Sequence, residues 1–243
     1  MKVVIAIDSF KGSISSLEGS KVIASGINEV YPDAEITIMP LADGGEGTVE
    51  ALVRATSGEM IETCVTGPLR ETVSAVYGIL GDGKTAVIEV AAACGLPLVP
   101  VEKRNPKQTT SFGVGELILD ACKRGCREFV IGLGGSSTND AGVGMLQALG
   151  YRFLDQKEQE VGFGGHVLKD IAQIDNKGVH PILKECTFRI ACDVNNPLFG
   201  PNGAAFVYGP QKGADEAMVV ELDEGLKQFS NIVQKTLFID IHS

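Results

Sequence analysis

The chain of 243 residues has no tryptophan, only three histidines, and six cysteines without a single C-x-x-C pair. The histidines stand far apart, at His166, His180 and His242, so neither a structural zinc site nor a disulfide framework is expected. Cys122 and Cys126 have the i,i+4 spacing of one helix face, and packing in the core explains that spacing better than a metal site does.

Long apolar runs are also missing, and acids outnumber bases to give a net charge of −10. No run reaches the ~20 residues that cross a bilayer, and the N-terminus is too short and too soon acidic for a signal peptide. We therefore expect a cytoplasmic protein without a membrane partner. The acidic balance argues against nucleic acid as a partner. It still allows a small anionic ligand, which a local lysine and backbone N–H groups can hold.

Two catalytic signatures are absent from the sequence as well: G-x-S-x-G and H-E-x-x-H. The histidines also lie outside the polar clusters described below, so hydrolysis by a histidine-assisted triad is not expected. What the chain does have is a hydrophobic content of 44%, enough for a real core, and 30 glycines.

The first sixty residues read as two strand-loop-helix units. Apolar strands are predicted over residues 2–8 and 35–41, and helices over residues 16–30 and up to Gly58. Ser15 and Glu18 have the spacing of a capping box. Two such units predict a parallel sheet whose ligand-facing loops lie at the C-terminal ends of the strands.

Beyond residue 59 the pattern changes to short β-rich runs separated by glycine turns, which favours antiparallel or mixed sheet. We place a domain boundary there, so that residues 1–60 and residues 61–243 belong to different modules. The remaining predicted elements are a helix over 111–124, a helix over 141–149, a strand over 186–194, a helix over 215–235 capped by Asp215, and a strand-like run over 237–241.

The most informative segment is residues 128–144, where the apolar strand residues Phe129, Val130 and Ile131 lead into a glycine-rich loop. Glycine lets backbone N–H groups approach an anion, and the hydroxyls of the next residues, Ser136, Ser137 and Thr138, add donors. A helix opening near Asn139 or Asp140 would add its dipole. The alternative is a strand-to-helix turn whose polar residues only cap the helix.

Three further polar clusters follow predicted strands. Residues 8–13 carry a carboxylate, a hydroxyl and a lysine, and residues 42–48 carry two acids that could hold Mg²⁺ or only favour a helix N-terminus. Residues 193–213 begin with Asp193, whose apolar neighbours could desolvate it and make it a general base. Asn195 and Asn196 could instead only shape a turn. Lysine, aspartates and anion loops without histidine suit phosphoryl transfer.

Together these clusters resemble those of the bacterial glycerate kinase family, of the glycerate 2-kinase type. The matching segments are residues 8–13, 40–48, 132–140, 193–198 and 209–214, in the family's order and across essentially the whole chain. The resemblance implies an α/β protein of two domains: a flavodoxin-like parallel α/β domain, incomplete here, and an inserted mixed α/β domain. Family members continue into strands that complete the first domain, so the chain is expected to be C-terminally truncated.

The resemblance further implies ATP-dependent phosphorylation of D-glycerate to a phosphoglycerate in the interdomain cleft, with ATP and Mg²⁺ as cofactors. It leaves the phosphorylated hydroxyl open and is compatible with a homodimer. The implied catalytic residues are Asp193, as proton acceptor, and Lys11, which would neutralise the transferred phosphoryl. The other implied residues are Asp8, Ser9, Asp43, Gly44, Gly45, Asn195 and Asn196 for substrate, Gly134, Gly135, Ser136, Ser137, Thr138 and Lys212 for nucleotide, and Asp43 and Glu46 for metal.

Two alternatives stay open at this point. One is a small-molecule kinase of the galactokinase and homoserine kinase type, whose phosphate loop resembles Gly-Leu-Gly-Ser-Ser. The loop here has an extra glycine, and the clusters at residues 8–13 and 42–48 have no counterpart in that group. The other is a fragment that binds glycerate or nucleotide without catalysis.

Overall fold

Within residues 1–10, 13–41 and 45–242, which the computed structural model describes, the chain forms nine strands in three sheets and seven α-helices. The strands are β1 (Lys2–Ile5), β2 (Glu35–Ile38), β3 (Glu59–Thr66), β4 (Thr72–Ile79), β5 (Thr85–Glu89), β6 (Glu128–Gly132), β7 (Arg152–Leu154), β8 (Gln173–Asp175) and β9 (Thr187–Ala191). The helices are α1 (Ser16–Val30), α2 (Thr48–Thr56), α3 (Ala91–Cys94), α4 (Phe112–Lys123), α5 (Val143–Ala148), α6 (Ala204–Tyr208) and α7 (Glu216–Leu237). The protein is therefore a mixed α/β structure.

The N-terminal sheet contains β1 and β2, which pair in parallel as predicted. Helix α1 connects them, and its N-terminus carries the predicted capping box. Glu18 N donates to Ser15 Oγ at 3.2 Å, and Ser15 N donates to the Glu18 carboxylate at 3.3 Å. These reciprocal bonds satisfy amide groups that the first helical turn leaves without partners, so α1 begins at Ser16.

The main sheet has five strands in the order β3-β4-β5-β6-β9. Strands β3, β4 and β5 pair antiparallel, whereas β5, β6 and β9 pair in parallel, so the predicted mixed sheet is confirmed. Because parallel strands end at the same edge, Glu89, the loop after Gly132 and the segment leading to Asp193 leave the sheet side by side. This edge positions the candidate site.

Helices cover both faces of the main sheet. One core cluster packs α4 against the sheet and includes Cys122 and Cys126, which are both buried, in agreement with the packing interpretation. Helix α2 packs Val49 and Val53 against β4 and β5. Since α2 precedes residue 60 but packs on the sheet that follows it, the domain boundary placed there stays a prediction.

Helix α7 matches its prediction closely. Met218 N donates to the capping Asp215 carboxylate at 2.8 Å. The apolar residues on one face of the helix belong to a second core cluster: Val219, Leu222, Leu226, Phe229 and Val233. The predicted strand-like run over 237–241 is wrong. The helix continues to Leu237 and Phe238 adopts a left-handed backbone with φ of 59°, which ends the helix without starting a strand. In the described part of the chain, no helix is both long and apolar enough to span a bilayer.

The predicted start of the helix after the glycine-rich loop is also wrong. Helix α5 begins at Val143, not near Asn139 or Asp140. Ala141 and Gly142 have φ of 49° and 72°, and two left-handed residues in succession cannot belong to a right-handed helix. The loop is therefore longer than its sequence suggests, and α5 has only six residues.

An ion triad of Lys107, Lys169 and Glu221 joins α7 to two preceding segments. The Glu221 carboxylate accepts hydrogen bonds from Lys107 Nζ at 2.6 Å and Lys169 Nζ at 2.7 Å, and these bonds lower the pKa of Glu221 from 4.5 to about 2. Because the pKa is lowered on folding, the unfolded carboxylate takes up its proton first as the pH falls. The stabilisation is complete above about pH 4.5 and is lost as the pH approaches 2.

We expect Glu221→Gln to lower the free energy of unfolding at pH 7 by at most about 1 kcal/mol, since the triad is partly exposed. The difference from the parent protein should shrink toward zero as the pH falls from 4.5 to about 2. Urea unfolding at several pH values measures it, with Glu102→Gln at an exposed position as control. A difference that stayed constant over this pH range would contradict the assignment.

Candidate active site

The first half of the glycine-rich loop faces solvent. Gly134 and Gly135 are exposed and Ser136 is half-buried. Gly135 has φ of 73°, and a Cβ atom there would lie 3.3 Å from Ala91 Cβ. The position therefore requires glycine for its backbone conformation, and the exposed amides of residues 134–136 form the part of the loop that an anion can reach.

Hydrogen bonds to the interior of the fold hold the second half of the loop in place. Ser137 N and Ser137 Oγ both donate to the Cys94 carbonyl oxygen, at 2.8 and 2.9 Å, and Thr109 Oγ1 donates to the Ser137 carbonyl oxygen at 2.8 Å. Ser137 is 1% exposed and Thr138 is buried. The Ser137 hydroxyl thus supports the loop inside the fold, and residues 134–136 are better placed than Ser137 to meet a phosphate.

Asp140 fastens the end of the loop. Its Oδ2 accepts hydrogen bonds from Ser111 N at 2.8 Å, Ser111 Oγ at 2.9 Å and Gly144 N at 3.3 Å. Ser111 Oγ in turn accepts a bond from Met145 N at 3.0 Å. These bonds occupy amides at the start of α5, so the predicted contribution of a helix N-terminus to anion binding is wrong here.

We expect Asp140→Asn to lower the free energy of unfolding by about 1.5 to 3 kcal/mol, because a buried carboxylate that accepts several hydrogen bonds is replaced by a neutral amide. Urea unfolding measures the change, with Asp170→Asn at an exposed position as control. Combined with Ser111→Ala, the losses should not add, because both residues belong to one network. Strict additivity of the two substitutions would show that they act independently.

The Lys212 side chain contacts the glycine-rich loop from a distant part of the sequence. Its side chain is 8% exposed, and Nζ donates to the Thr138 carbonyl oxygen at 2.5 Å and to Ser136 Oγ at 3.2 Å. Burial lowers the pKa of the Lys212 ammonium from its usual value of 10.5. An ammonium has three donors, so one remains beyond these two contacts with described residues.

A cavity of about 270 Å³ joins the loop to the segment after β9. It is lined by Gly134, Gly135, Ser136, Asp193 and Lys212, together with Tyr208 and Gln211. Five of the residues implied in catalysis or nucleotide binding therefore meet at one place. Asp193 itself is exposed, so the expectation that apolar neighbours desolvate it is wrong. It lies two residues past the end of β9, beyond the reach of the buried sheet interior.

Two of the predicted residues of the N-terminal segment line a different cavity, whereas Asp8 and Gly45 are not among its lining residues. Ser9 and Glu46 border a space of about 240 Å³, and Ser9 N donates to Asp8 Oδ1 at 2.6 Å. A third cavity, of about 530 Å³, shares Pro40 with this space and Cys192 with the cavity of Asp193. The three cavities thus follow one another across the molecule. Lys11, Asp43 and Gly44 lie outside the described residues.

The two asparagines of the fourth cluster are both exposed. Asn196 Nδ2 donates to the Asn202 carbonyl oxygen at 2.9 Å, and Asn196 Oδ1 accepts a bond from Tyr208 at 2.6 Å. These bonds favour the turn-shaping alternative for Asn196, because both ends of its amide hold the loop before α6. The substrate role implied for Asn195 stays a prediction.

Sequence reasoning missed Glu89, at the end of β5. Its carboxylate accepts a hydrogen bond from Val49 N at 2.9 Å, and so caps α2 from another strand. Burial raises the pKa of Glu89, and the nearby charge of Glu46 raises it further. The only sequence signal is an acid that ends an apolar strand. Its partner, 40 residues away, cannot be inferred from spacing.

The sequence model of the Glycerate kinase family matches residues 3–243. The chain belongs to the glycerate kinase family. This decides against the galactokinase and homoserine kinase alternative for the chain, since the match covers nearly all of it.

Individual relatives agree with the family assignment. This glycerate kinase family member is 54% identical over 241 residues to a glycerate 2-kinase of Escherichia coli K12, and 52% identical over 237 residues to a glycerate kinase of Bacillus subtilis 168. These matches cover 99% and 98% of the chain, but only 63% and 62% of the relatives. A crystal structure described as glycerate kinase 2 from Salmonella typhimurium LT2 superposes with a TM-score of 0.90 at 48% identity, covering 100% of this chain and 65% of the other.

Proposed function

We propose that this glycerate kinase family member transfers the terminal phosphoryl group of ATP to a hydroxyl group of D-glycerate. The observation that carries the proposal is the cavity that brings together the loop amides of residues 134–136, the Asp193 carboxylate and the Lys212 ammonium. Phosphoryl transfer needs positioning and charge stabilisation more than covalent chemistry, and this donor set supplies both. Relatives named glycerate kinase at about half identity support the choice of acceptor.

In this proposal the glycerate hydroxyl oxygen attacks the terminal phosphorus of ATP while the bond to the ADP oxygen breaks. Asp193 accepts the hydroxyl proton, and the loop amides with Lys212 stabilise the negative charge of the transferred group. Lys11 belongs to the N-terminal segment and lies outside the described residues. It is proposed to neutralise the same negative charge.

Glycerate would occupy the side of the cleft nearer the N-terminal segment. The series of cavities from Ser9 and Glu46 to Asp193 supports this arrangement, because it runs from the N-terminal segment to the proposed general base. Asp8, Ser9, Asp43, Gly44, Gly45 and Asn195 remain the proposed contacts to substrate, whereas Asn196 holds the loop before α6.

Mg²⁺ binding is proposed through the nucleotide. Among the described residues, no group of three or more His, Cys, Asp or Glu side chains could hold a metal ion by itself. Mg²⁺ usually keeps several waters and uses one or two carboxylates with substrate phosphates. Exposed Glu46, with Asp43 outside the described residues, fits that smaller set. Bound there, the ion would offset part of the phosphate charge.

The deciding experiment is a coupled assay of ADP release with D-glycerate. It is run on this chain and on a version extended to the length of its relatives, with glycerate omitted as the control. We expect glycerate-dependent ADP release from the extended protein. Failure of the extended protein to release ADP would overturn the proposal. Binding by the short chain without turnover would identify it as a non-catalytic portion of the kinase.

The two-domain division, a homodimer and a cytoplasmic location are kept as parts of the proposal. Helix α2, which packs on the main sheet, is the element that bears on the first of these. Analytical ultracentrifugation of the extended protein would give the oligomeric state directly.

A further inference from the structure

A further cavity, larger than that of Asp193, adjoins the candidate active site, and we call it the second cavity. It encloses about 460 Å³ and shares Leu133, Ser136 and Lys212 with the cavity of Asp193. Lys212, which bonds to Ser136 and Thr138, lies on the border between the two spaces. The same loop and lysine therefore border both spaces, so a group bound in the second cavity would lie next to one held by the loop amides.

The walls of the second cavity are mainly apolar. They include Ile131, Ile190, Leu198, Leu226, Phe229 and Ile241. Its size lies within the range of small-molecule pockets, which combine apolar walls with a few polar groups that fix orientation. The polar lining residues adjoin one another, since Ser136, Thr138, Asn139 and Asp140 belong to one loop, Lys212 bonds to that loop and Ser111 bonds to Asp140. They form the polar end of the cavity. Such a cavity suits a flat ring with polar atoms on one edge.

Asn139 is the polar group that no other part of the described structure explains. Its side chain is 6% exposed, and its amide Nδ2 has no hydrogen-bond partner among the described residues. Buried polar groups in native proteins nearly always have a partner, so an orphaned amide that lines a cavity is a candidate donor to a bound ligand. The terminal torsion of asparagine is broad, which lets the amide turn toward an acceptor placed in the cavity.

We propose that the second cavity takes the purine ring of the nucleotide and that Asn139 donates a hydrogen bond to a ring nitrogen. The proposal rests on the proposed function, because the phosphates of the same nucleotide would lie at residues 134–136. A purine presents acceptor nitrogens at its edge and two apolar faces, matching the polar end and the apolar walls. Asn139 is then a residue that determines nucleotide specificity, distinct from those that hold phosphate.

Asn139→Leu tests the hydrogen bond, since leucine keeps the shape of asparagine but removes the donor. Affinities of this chain for ATP, adenosine and inorganic triphosphate are measured by calorimetry. We expect the dissociation constants of ATP and adenosine to rise roughly two- to tenfold, the effect of one lost hydrogen bond. Inorganic triphosphate has no ring, so its dissociation constant should stay within about twofold of the parent value.

Ala204→Phe tests the cavity itself, because Ala204 lines it and a phenyl group would occupy part of its volume. Val207→Phe is the matched control, since Val207 is 44% exposed on the same short helix. We expect Ala204→Phe to weaken ATP binding about tenfold or more, the order of one lost ring contact. Val207→Phe should leave the affinity for ATP unchanged. Thermal melting of both variants confirms that each is folded.

The outcomes separate the two proposals. If the parent chain binds ATP and triphosphate, and both Asn139→Leu and Ala204→Phe bind ATP as the parent does, the ring lies elsewhere and this inference is overturned while the proposed function stands. If the parent binds triphosphate but neither ATP nor adenosine, the cavity does not accept a purine. If the parent and the extended protein bind none of the three, the proposed function fails and this inference fails with it.

Discussion

Replacement of Asp193 by asparagine is expected to lower the rate of ADP formation about 10²- to 10⁴-fold, the usual cost of losing a general base. Asparagine keeps the size and polarity of the side chain but cannot accept the hydroxyl proton. The Michaelis constant for ATP should change little, because Asp193 is assigned to the acceptor hydroxyl. The measurement is the coupled assay in the extended protein, with D-glycerate varied at saturating ATP for the rate and ATP varied at saturating D-glycerate for the Michaelis constant.

Asp33→Asn is the matched control for this substitution, since Asp33 is also exposed but lies in the turn before β2. It should retain the parent rate. Near-normal turnover of Asp193→Asn would show that another group accepts the proton, and Asp193 would then only help to shape the cavity.

Replacement of Lys212 by methionine is expected to lower kcat/KM for ATP about 10²- to 10³-fold, the scale of losing one donor to developing charge. Methionine fills the space of the buried stem, and the Thr138 carbonyl oxygen and Ser136 Oγ lose their shared donor. Steady-state kinetics with varied ATP measures the change, with exposed Lys235→Met as control. An unchanged kcat/KM would remove Lys212 from the nucleotide site.

The pH dependence gives an independent check on Lys212. Burial lowers the pKa of its ammonium, so kcat/KM of the parent should fall with rising pH before the ordinary lysine value of 10.5 is reached. The unfolding free energy should change in the opposite direction in that window, because the unfolded lysine binds the proton more tightly than the folded one. Lys212→Met should lack both effects, and an identical alkaline profile in parent and variant would contradict the assignment.

Local signals in the sequence predicted the elements whose stability is mainly local. The capping box of Ser15 and Glu18 and the cap at Asp215 each lie within a few residues of the helix end that they stabilise. Strand ends were predicted within a few residues for the same reason. The mixed sheet followed from the change of pattern near residue 60.

The errors arose where a contact distant in sequence decides the conformation. Asp140 is held by Ser111, 29 residues earlier, and that bond is formed by a loop with two left-handed residues instead of a helix start. The run over 237–241 is apolar at four of its five positions, but α7 extends to Leu237 and the left-handed backbone of Phe238 follows, so no strand forms among the described residues of the run.

The candidate site was predictable as a set of residues but not as an arrangement. The sequence assigns polar clusters to strand ends, and the order of β5, β6 and β9 brings two of these clusters into one cavity. Neither the orphaned amide of Asn139 nor the cap from Glu89 has a sequence signature. Both depend on which side chains happen to face each other after folding.

The uneven anchoring of the glycine-rich loop has a consequence for how tightly a phosphate can be held. Ser137 and Asp140 fix one half during folding, so their loss of conformational entropy is already complete before a ligand arrives. Gly134 and Gly135 are exposed and have no side chains, so this half of the loop is held by fewer contacts, among them the bond from Leu96 N to the Gly135 carbonyl oxygen at 2.9 Å. Under the proposed function, nucleotide affinity is then adjustable through the stiffness of this half of the loop.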